Sequence, residues 1–365
     1  MRRAITIFVL CLAAVRAQAE LDPARVIAEL DLRESKRPVR EMTGWTKPKK
    51  IAVLIDGPQR LAWFGQVAPG VELVGVTGAA DAPGKVADVD AVVGICNLPA
   101  AAAAKKARWI HVGSAGVNEC LADRRIAAGE VLVTNMQRVF GPPIAEHVIG
   151  MTFYLARNFH RYTDLQRAAR WNQQAIAQDR HMELQGKTML VIGLGGIGTA
   201  VAERAHALGM AIIATRNSGR SGPDFVEYVG LANEAADLAA RADVVVNAAP
   251  LTPETEGMFD AAFFARMKPT AYFINIGRGS QVKQADLIAA LEQNKIAGAG
   301  LDVADPEPLP ADHPLWATPN IFITPHVSSF SDLRMERFWI VMRENLRRYV
   351  AGDKVFSVVD VKRGY

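Results

Sequence analysis

The stretch Met189-Leu190-Val191-Ile192 runs without a break into Gly193-Leu194-Gly195-Gly196-Ile197-Gly198, then into a helical stretch, Thr199 to Leu208, and a second apolar run from Ala211. A G-x-G-x-x-G pattern alone says little. Here strand, glycines, helix and second strand follow in order within about 30 residues, and that order demands a parallel βαβ unit. Gly193 permits the tight turn, Gly195 lets the backbone approach a pyrophosphate, and Gly198 lets the helix pack closely on the strand. Gly196 and Ile197 complete the turn. The helix that starts there points unpaired N–H groups and a positive dipole end at the phosphates of a dinucleotide.

The same alternation extends in both directions. Ile51 to Ile55, Val71 to Val76, Ala91 to Ile95, Trp109 to Val112 and Val131 to Thr134 are short apolar runs upstream. Downstream, Met189 to Ile192, Ala211 to Ala214, Val244 to Ala248, Ala271 to Ile274, Gly298 to Leu301 and Ile321 to Thr324 supply six more. Continuous apolar strands separated by helix-length segments imply α/β layers with parallel sheets. A chain of 365 residues makes about two domains. Helical runs begin at Pro142-Pro143, which suits a first helical turn, and again at Asp332. The final short run, Val355 to Val359, has no place in the second sheet, so the tail is expected to return to the first. The fold class is therefore α/β, with two Rossmann-like, doubly wound parallel-sheet domains, the cofactor domain inserted into a discontinuous substrate domain. The expected boundaries are 49–145 and 327–365 for the substrate domain and 146–326 for the dinucleotide-binding domain. Residues 20–48 read as an extension with little chemistry of its own.

Met1-Arg2-Arg3, twelve apolar-dominated residues from Ala4 to Val15, and Ala17-Gln18-Ala19 have the form of a secretory signal peptide over residues 1–19. An exported, periplasmic or secreted protein is expected, or a cytoplasmic one if the leader does not function. The apolar run falls short of the about 20 residues a membrane span needs. Without the leader's three arginines, 39 basic groups face 38 acidic ones, which gives nucleic acid no electrostatic footprint. Cys96 and Cys120 then remain. Cys96 sits in an apolar run and reads as a buried, inert thiol; its spacing from Cys120 neither requires nor forbids a bridge. No Cys/His cluster has metal-ligand spacing, so no metal is expected.

The end of the second strand bears on cofactor choice. Folds that bind NAD place Asp or Glu about 20 residues on, to accept from the ribose 2′-hydroxyl. Arg216 stands there instead, eighteen residues after Gly198, with Asn217, Ser218 and Arg220 beside it. A guanidinium offers charge and a planar donor fork to a 2′-phosphate. NADP(H) is therefore expected as the preferred cofactor, with NAD(H) as the other choice.

Three polar features follow later strands: Asn275-Ile276-Gly277-Arg278-Gly279, Asp302-Val303-Ala304-Asp305-Pro306-Glu307-Pro308 and Thr324-Pro325-His326. With Gly113-Ser114-Ala115-Gly116-Val117, Ile144-Ala145-Glu146-His147, Pro250-Leu251-Thr252-Pro253-Glu254-Thr255 and His313-Pro314-Leu315-Trp316, the chain resembles the D-isomer-specific 2-hydroxyacid dehydrogenase family from about Ile51 to Val350. At Arg216 it is more similar to the NADP-preferring glyoxylate and hydroxypyruvate reductases. The resemblance implies catalytic roles for Arg278, Glu307 and His326, and a substrate-carboxylate loop at Ser114, Ala115 and Gly116. It also implies cofactor contacts at Pro250, Ile276 and Asp302, a small 2-oxo or 2-hydroxy acid as substrate, and a homodimer using the Pro142 to Arg157 helix.

In that reading His326 is the acid, Glu307 fixes its tautomer and orientation, and Arg278 binds the carboxylate and polarises the carbonyl. The substrate pocket is expected from loops near Gly57, Asn97 and Ser114, with Trp316 and Phe330. The same scaffold also serves proteins that sense a dinucleotide without turnover, the alternative reading; retention of Arg278, Glu307 and His326 together favours the enzyme. A formate dehydrogenase-like reading ranks third, with Glu307 against it.

Overall fold

A computed structural model of the chain describes residues 21–177 and 180–364. The leader expectation, at residues 1–19, lies outside the described residues.

Five strands form the first sheet: β1 (Lys50–Leu54), β2 (Glu72–Val76), β3 (Ala91–Val93), β4 (Trp109–His111) and β5 (Leu132–Thr134), in the order β2-β1-β3-β4-β5. Every pairing is parallel. The second sheet holds β6 (Thr188–Ile192), β7 (Ala211–Thr215), β8 (Val226–Gly230), β9 (Val244–Asn247), β10 (Tyr272–Asn275), β11 (Gly298–Leu301) and β12 (Ile321–Ile323). Its order is β12-β11-β10-β9-β6-β7-β8, again all parallel. This is the expected class of two parallel α/β sheets. Strand order reverses beside β6, between β9 and β7, and ligands of such sheets sit at the carboxyl ends of strands flanking that point.

Two expectations need correction. The second sheet has seven strands, because β8 was missed. It is an edge strand with its first three residues partly or fully exposed, so its sequence, Val-Glu-Tyr-Val-Gly, lacks the continuous apolar run of a central strand. The second concerns residues 20–48, read as an extension, which are built into the core. Helix Pro23–Glu29 is N-capped by Asp22, and Val26, Leu30, Leu32 and Val39 are buried in the main core. Asp31 reaches across to Arg138, 2.9 Å away.

The helix Arg334–Ala351 packs its apolar face against the first sheet, with Tyr349 stacked on Trp109 at 4.3 Å between ring centres. The tail then returns as expected: Asn345 exchanges hydrogen bonds with the Phe356 backbone, and Val358 bridges antiparallel to Thr134 of β5. The other long helix, Gly141–Ala156, lies against the helix Gly196–Ala207. Contact there is close enough that a Cβ on Gly141 would lie 3.6 Å from the Ala200 Cβ. No helix among the described residues is long and apolar enough to cross a membrane.

Candidate active site

The glycine loop has the geometry of a phosphate cradle. Gly193 has φ +96°, and a Cβ there would lie 2.6 Å from the Ala249 nitrogen. A Cβ on Gly198 would run into the Gly193 carbonyl. Gly195 differs: nothing lies within 4 Å of where its Cβ would be, so the backbone there faces open space. It is also the N-cap of helix Gly196–Ala207, and no side chain caps that terminus. First-turn N–H groups with no side-chain acceptor beside an open glycine suit a pyrophosphate.

At the end of β7, Arg216 donates from Nη1 to the Ser221 carbonyl at 2.8 Å, while Asn217 and Ser218 are exposed. Arg220 is committed elsewhere, to Glu234 at 2.6 Å and to Tyr228. The hydrogen bonds from Arg220 and Tyr228 pull the Glu234 carboxyl down to about 2.

Arg278 is placed by buried amides that sequence reasoning missed. Its backbone N–H donates to Gln281 Oε1 at 2.8 Å, and its carbonyl accepts from Asn275 Nδ2 at 3.0 Å. Asn247 donates from Nδ2 to both of those partners' side-chain oxygens, each at 2.8 Å. The one available signal was that β9 and β10, otherwise apolar, both end in asparagine. Gly279 then allows close approach: a Cβ would collide with the Ala304 carbonyl, so the Arg278 loop abuts the loop that carries Glu307. The guanidinium itself lies against Gly116, whose absent Cβ leaves room for Nη2. Burial lowers its pKa, opposed by Glu307 and Glu119.

His326 lies 2.8 Å through Nδ1 from Glu307 Oε2, and Glu307 Oε1 accepts from the Ala304 N–H at 3.1 Å. Its backbone is left-handed, φ +55°, an uncommon conformation for a non-glycine residue. Asp302 holds that turn. The carboxylate is buried and accepts from Thr324 Oγ1 at 2.7 Å, the Val327 N–H at 2.9 Å and the Ser328 N–H at 3.1 Å. His147 Nε2 closes the cluster, 3.0 Å from Thr324 Oγ1. Asp302, read from sequence as a cofactor contact, spends both oxygens inside the protein. Of the other two, Pro250 gives its carbonyl to Gln281 and Thr255, and Ile276 is buried.

The loop facing Arg278 is tied down through its carbonyls. Ser114 O accepts from the Met136 N–H at 3.0 Å, Ala115 O from Asn135 Nδ2 at 2.6 Å, and Gly116 O from Ser114 Oγ at 2.7 Å. Among the described residues the N–H groups of Ala115 and Gly116 have no partner. Asn118 Nδ2 donates to Leu251 O at 2.9 Å, linking this loop to the segment after β9.

A cleft of about 590 Å³ opens at the carboxyl ends of the first sheet, lined by Asp56, Thr77, Asn97, Ser114, Glu119 and Arg334 among others. The loop near Gly57 enters this lining through Ile55 and Asp56, as expected, but Trp316 and Phe330 do not; Trp316 donates instead to the Pro310 carbonyl. Cys96, read as an inert thiol, is bonded to Cys120 with Cα atoms 5.5 Å apart, a normal disulfide span. The bridge ties the segment after β3 to helix Asn118–Leu121, directly after the Gly116 loop. Spacing could not reveal it, because the 23 intervening residues include the helix Leu98–Ala103 and β4.

These features have counterparts in known proteins. A family model described as D-isomer specific 2-hydroxyacid dehydrogenase, NAD binding domain, matches residues 149–328. Glyoxylate/hydroxypyruvate reductase A of Photorhabdus laumondii subsp. laumondii is 31% identical over 265 residues, 71% of this chain and 82% of that one. The NADPH-dependent glyoxylate/hydroxypyruvate reductase of Sinorhizobium meliloti, solved with NADP and sulfate, is 26% identical with a TM-score of 0.73, covering 87% of this chain and 100% of that one. A D-isomer specific 2-hydroxyacid dehydrogenase of Xanthobacter autotrophicus Py2, solved with NADPH and MES, is 28% identical with a TM-score of 0.72, covering 88% and 100%.

Proposed function

Because the chain belongs to the D-isomer specific 2-hydroxyacid dehydrogenase family, we propose that it is a reductase of the glyoxylate/hydroxypyruvate type, converting a small 2-oxo acid to its D-2-hydroxy acid with NADPH. The observation that carries the reading is the 2.8 Å pairing of His326 with Glu307, on a loop that abuts Arg278. Arg216, standing where a carboxylate would select a free ribose hydroxyl, supports NADP(H), as do the NADP and NADPH held by the two related structures. The glycine loop, Gly193 to Gly198, would hold the pyrophosphate.

When bound, the reduced cofactor supplies the hydride. The chain's own groups do the rest. Glu307 accepts a hydrogen bond from His326 Nδ1–H, which fixes the ring and leaves Nε2–H to donate a proton to the carbonyl oxygen. Arg278 spans the substrate's carboxylate and carbonyl oxygens, and the unpartnered N–H groups of Ala115 and Gly116 take the other carboxylate oxygen. Residues 49–145 with 327–365 act as one unit and 146–326 as the other, with the reacting groups on their facing edges.

Two further readings belong to this proposal. Exposed Trp171 and Phe159, which follow the helix Gly141–Ala156, suit burial against a second copy in a homodimer, to be tested by sedimentation velocity. Residues 1–19 direct export, a reading the Cys96 to Cys120 disulfide supports; a mature protein that starts at Glu20 is the expected result of N-terminal sequencing.

The test of function is a panel of 2-oxo acids, glyoxylate, hydroxypyruvate and phenylpyruvate included, assayed with NADPH and NADH. Oxidation of NADPH in preference to NADH, with a D-2-hydroxy acid as product, is expected. Tight NADPH binding without turnover of any member contradicts the reading.

A further inference from the structure

A cleft of about 780 Å³ runs beside the glycine loop, walled on one side by residues 29–33 and on the other by helix Gly196–Ala207 and the loop after β7. Four arginines line it: Arg33, Arg138 and Arg216, from three separate stretches of chain, and Arg204 on the helix. The Arg138 side chain is only 15% exposed. Its stem fills the space a Cβ on Gly196 would occupy, and its Nη1 lies 2.9 Å from Asp31. The same carboxylate is 3.9 Å from Arg33. Burial lowers the Arg138 guanidinium's pKa, Asp31 and Glu203 oppose that, and Arg33 and Arg216 add repulsion, so Arg138 lies close enough to both to feel their charge.

The cleft's other charges largely cancel. Glu29 pairs with Arg25 at 2.7 Å, and Arg204 with Glu146 at 3.2 Å. Three guanidinium groups therefore face two carboxylates, Asp31 and Glu203, in a concave site that begins where β7 ends. A surplus of planar, multidentate donors in such a place is the chemistry that binds a phosphate monoester.

We propose that Arg33 joins Arg138 and Arg216 in binding the phosphate on the adenosine ribose of NADP(H), which makes the segment before the first sheet a determinant of cofactor choice. The inference rests on the NADP(H) reading above and extends it to residues outside the cofactor domain. The segment is held for this task by Val26, Leu30 and Leu32 in the core, and Asp31 keeps Arg138 turned into the cleft.

The experiment uses the full chain and equilibrium binding, without turnover. Calorimetry measures Kd for NADPH, NADH, 2′-phospho-AMP and AMP on wild type, Arg33→Ala, Arg33→Lys and Arg216→Ala. Arg33 is largely exposed, so its variants should keep the wild-type Tm, which is checked in parallel. Loss of one charge-assisted contact predicts about tenfold weaker NADPH and 2′-phospho-AMP binding in Arg33→Ala. NADH and AMP should change less than about twofold, and Arg33→Lys should recover part of the loss. A wild-type NADPH-to-NADH ratio retained in Arg33→Ala overturns the inference but leaves the NADP(H) reading standing. Wild-type protein that binds NADH as tightly as NADPH overturns both.

Discussion

Asp302→Asn tests how His326 is held. The native carboxylate is 1% exposed and takes three hydrogen bonds, from Thr324 Oγ1, the Val327 N–H and the Ser328 N–H, at 2.7 to 3.1 Å. Bonds to a charged acceptor contribute roughly 1.5–3 kcal/mol each. Asparagine keeps the shape and one oxygen, but sets an NH2 group against a donor at the other position, so at least one buried N–H or hydroxyl loses its acceptor. Neighbouring bonds are not additive, and a loss of about 2–3 kcal/mol in unfolding free energy is expected, read by urea titration of the cofactor-free protein.

The catalytic consequence is separate. His326 holds an uncommon left-handed backbone between the Thr324 and Val327 anchors. Once those slacken, a displacement of about 1 Å costs roughly 100-fold in rate. The assay is kcat for hydroxypyruvate reduction by NADPH, measured where the variant is still folded, with expected losses of about 10- to 100-fold. A folded Asp302→Asn enzyme with wild-type kcat would refute the reasoning that this carboxylate positions the His326 turn.

Two other outcomes follow from the same geometry. Gly195→Ala should fold with nearly wild-type stability, because its Cβ meets nothing within 4 Å, yet bind NADPH at least about tenfold more weakly; Gly198→Ala should instead lose stability, because its Cβ meets backbone. Equal stability losses in calorimetric melts of the two variants would contradict this. His111 is fully buried, with Nδ1 2.7 Å from Thr134, and burial pushes its pKa down to about 3. The unfolded chain takes up that proton near pH 6.5. The native one does so only near 3, so the contribution is complete above pH 6.5 and is lost as pH falls towards 3, at about 1.4 kcal/mol per unit. His111→Gln should flatten the acid limb of a stability-versus-pH curve, and an unchanged slope would count against it.

The parts of this molecule that follow a local rule were legible in its sequence. Buried parallel strands are continuous apolar runs, which is why eleven of them could be placed, while edge strand β8, partly wet, could not. The glycine loop was readable because strand, glycines, helix and second strand follow one another in a single short stretch of sequence. What sequence hid is everything made by long-range packing. Asn247, at the end of β9, grips Asn275 and Gln281, the two side chains that hold the Arg278 backbone, and Asp302 faces a turn more than twenty residues on. The Cys96 to Cys120 bond depends on how two loops meet. The polar segment over residues 20–48 looked idle because its four buried apolar residues are scattered through charged neighbours, and only the fold shows that Asp31 and Arg33 line a cleft with Gly196 and Arg216.

The most direct test of the central claim, that His326 and Arg278 act together on one small ketone, is steady-state reduction of hydroxypyruvate by His326→Gln and Arg278→Ala, both saturated with NADPH. Each should bind NADPH within about threefold of wild type and lose at least about 100-fold in kcat/KM, the scale of a missing general acid or a missing electrostatic clamp. Near-normal turnover by either protein would contradict the account.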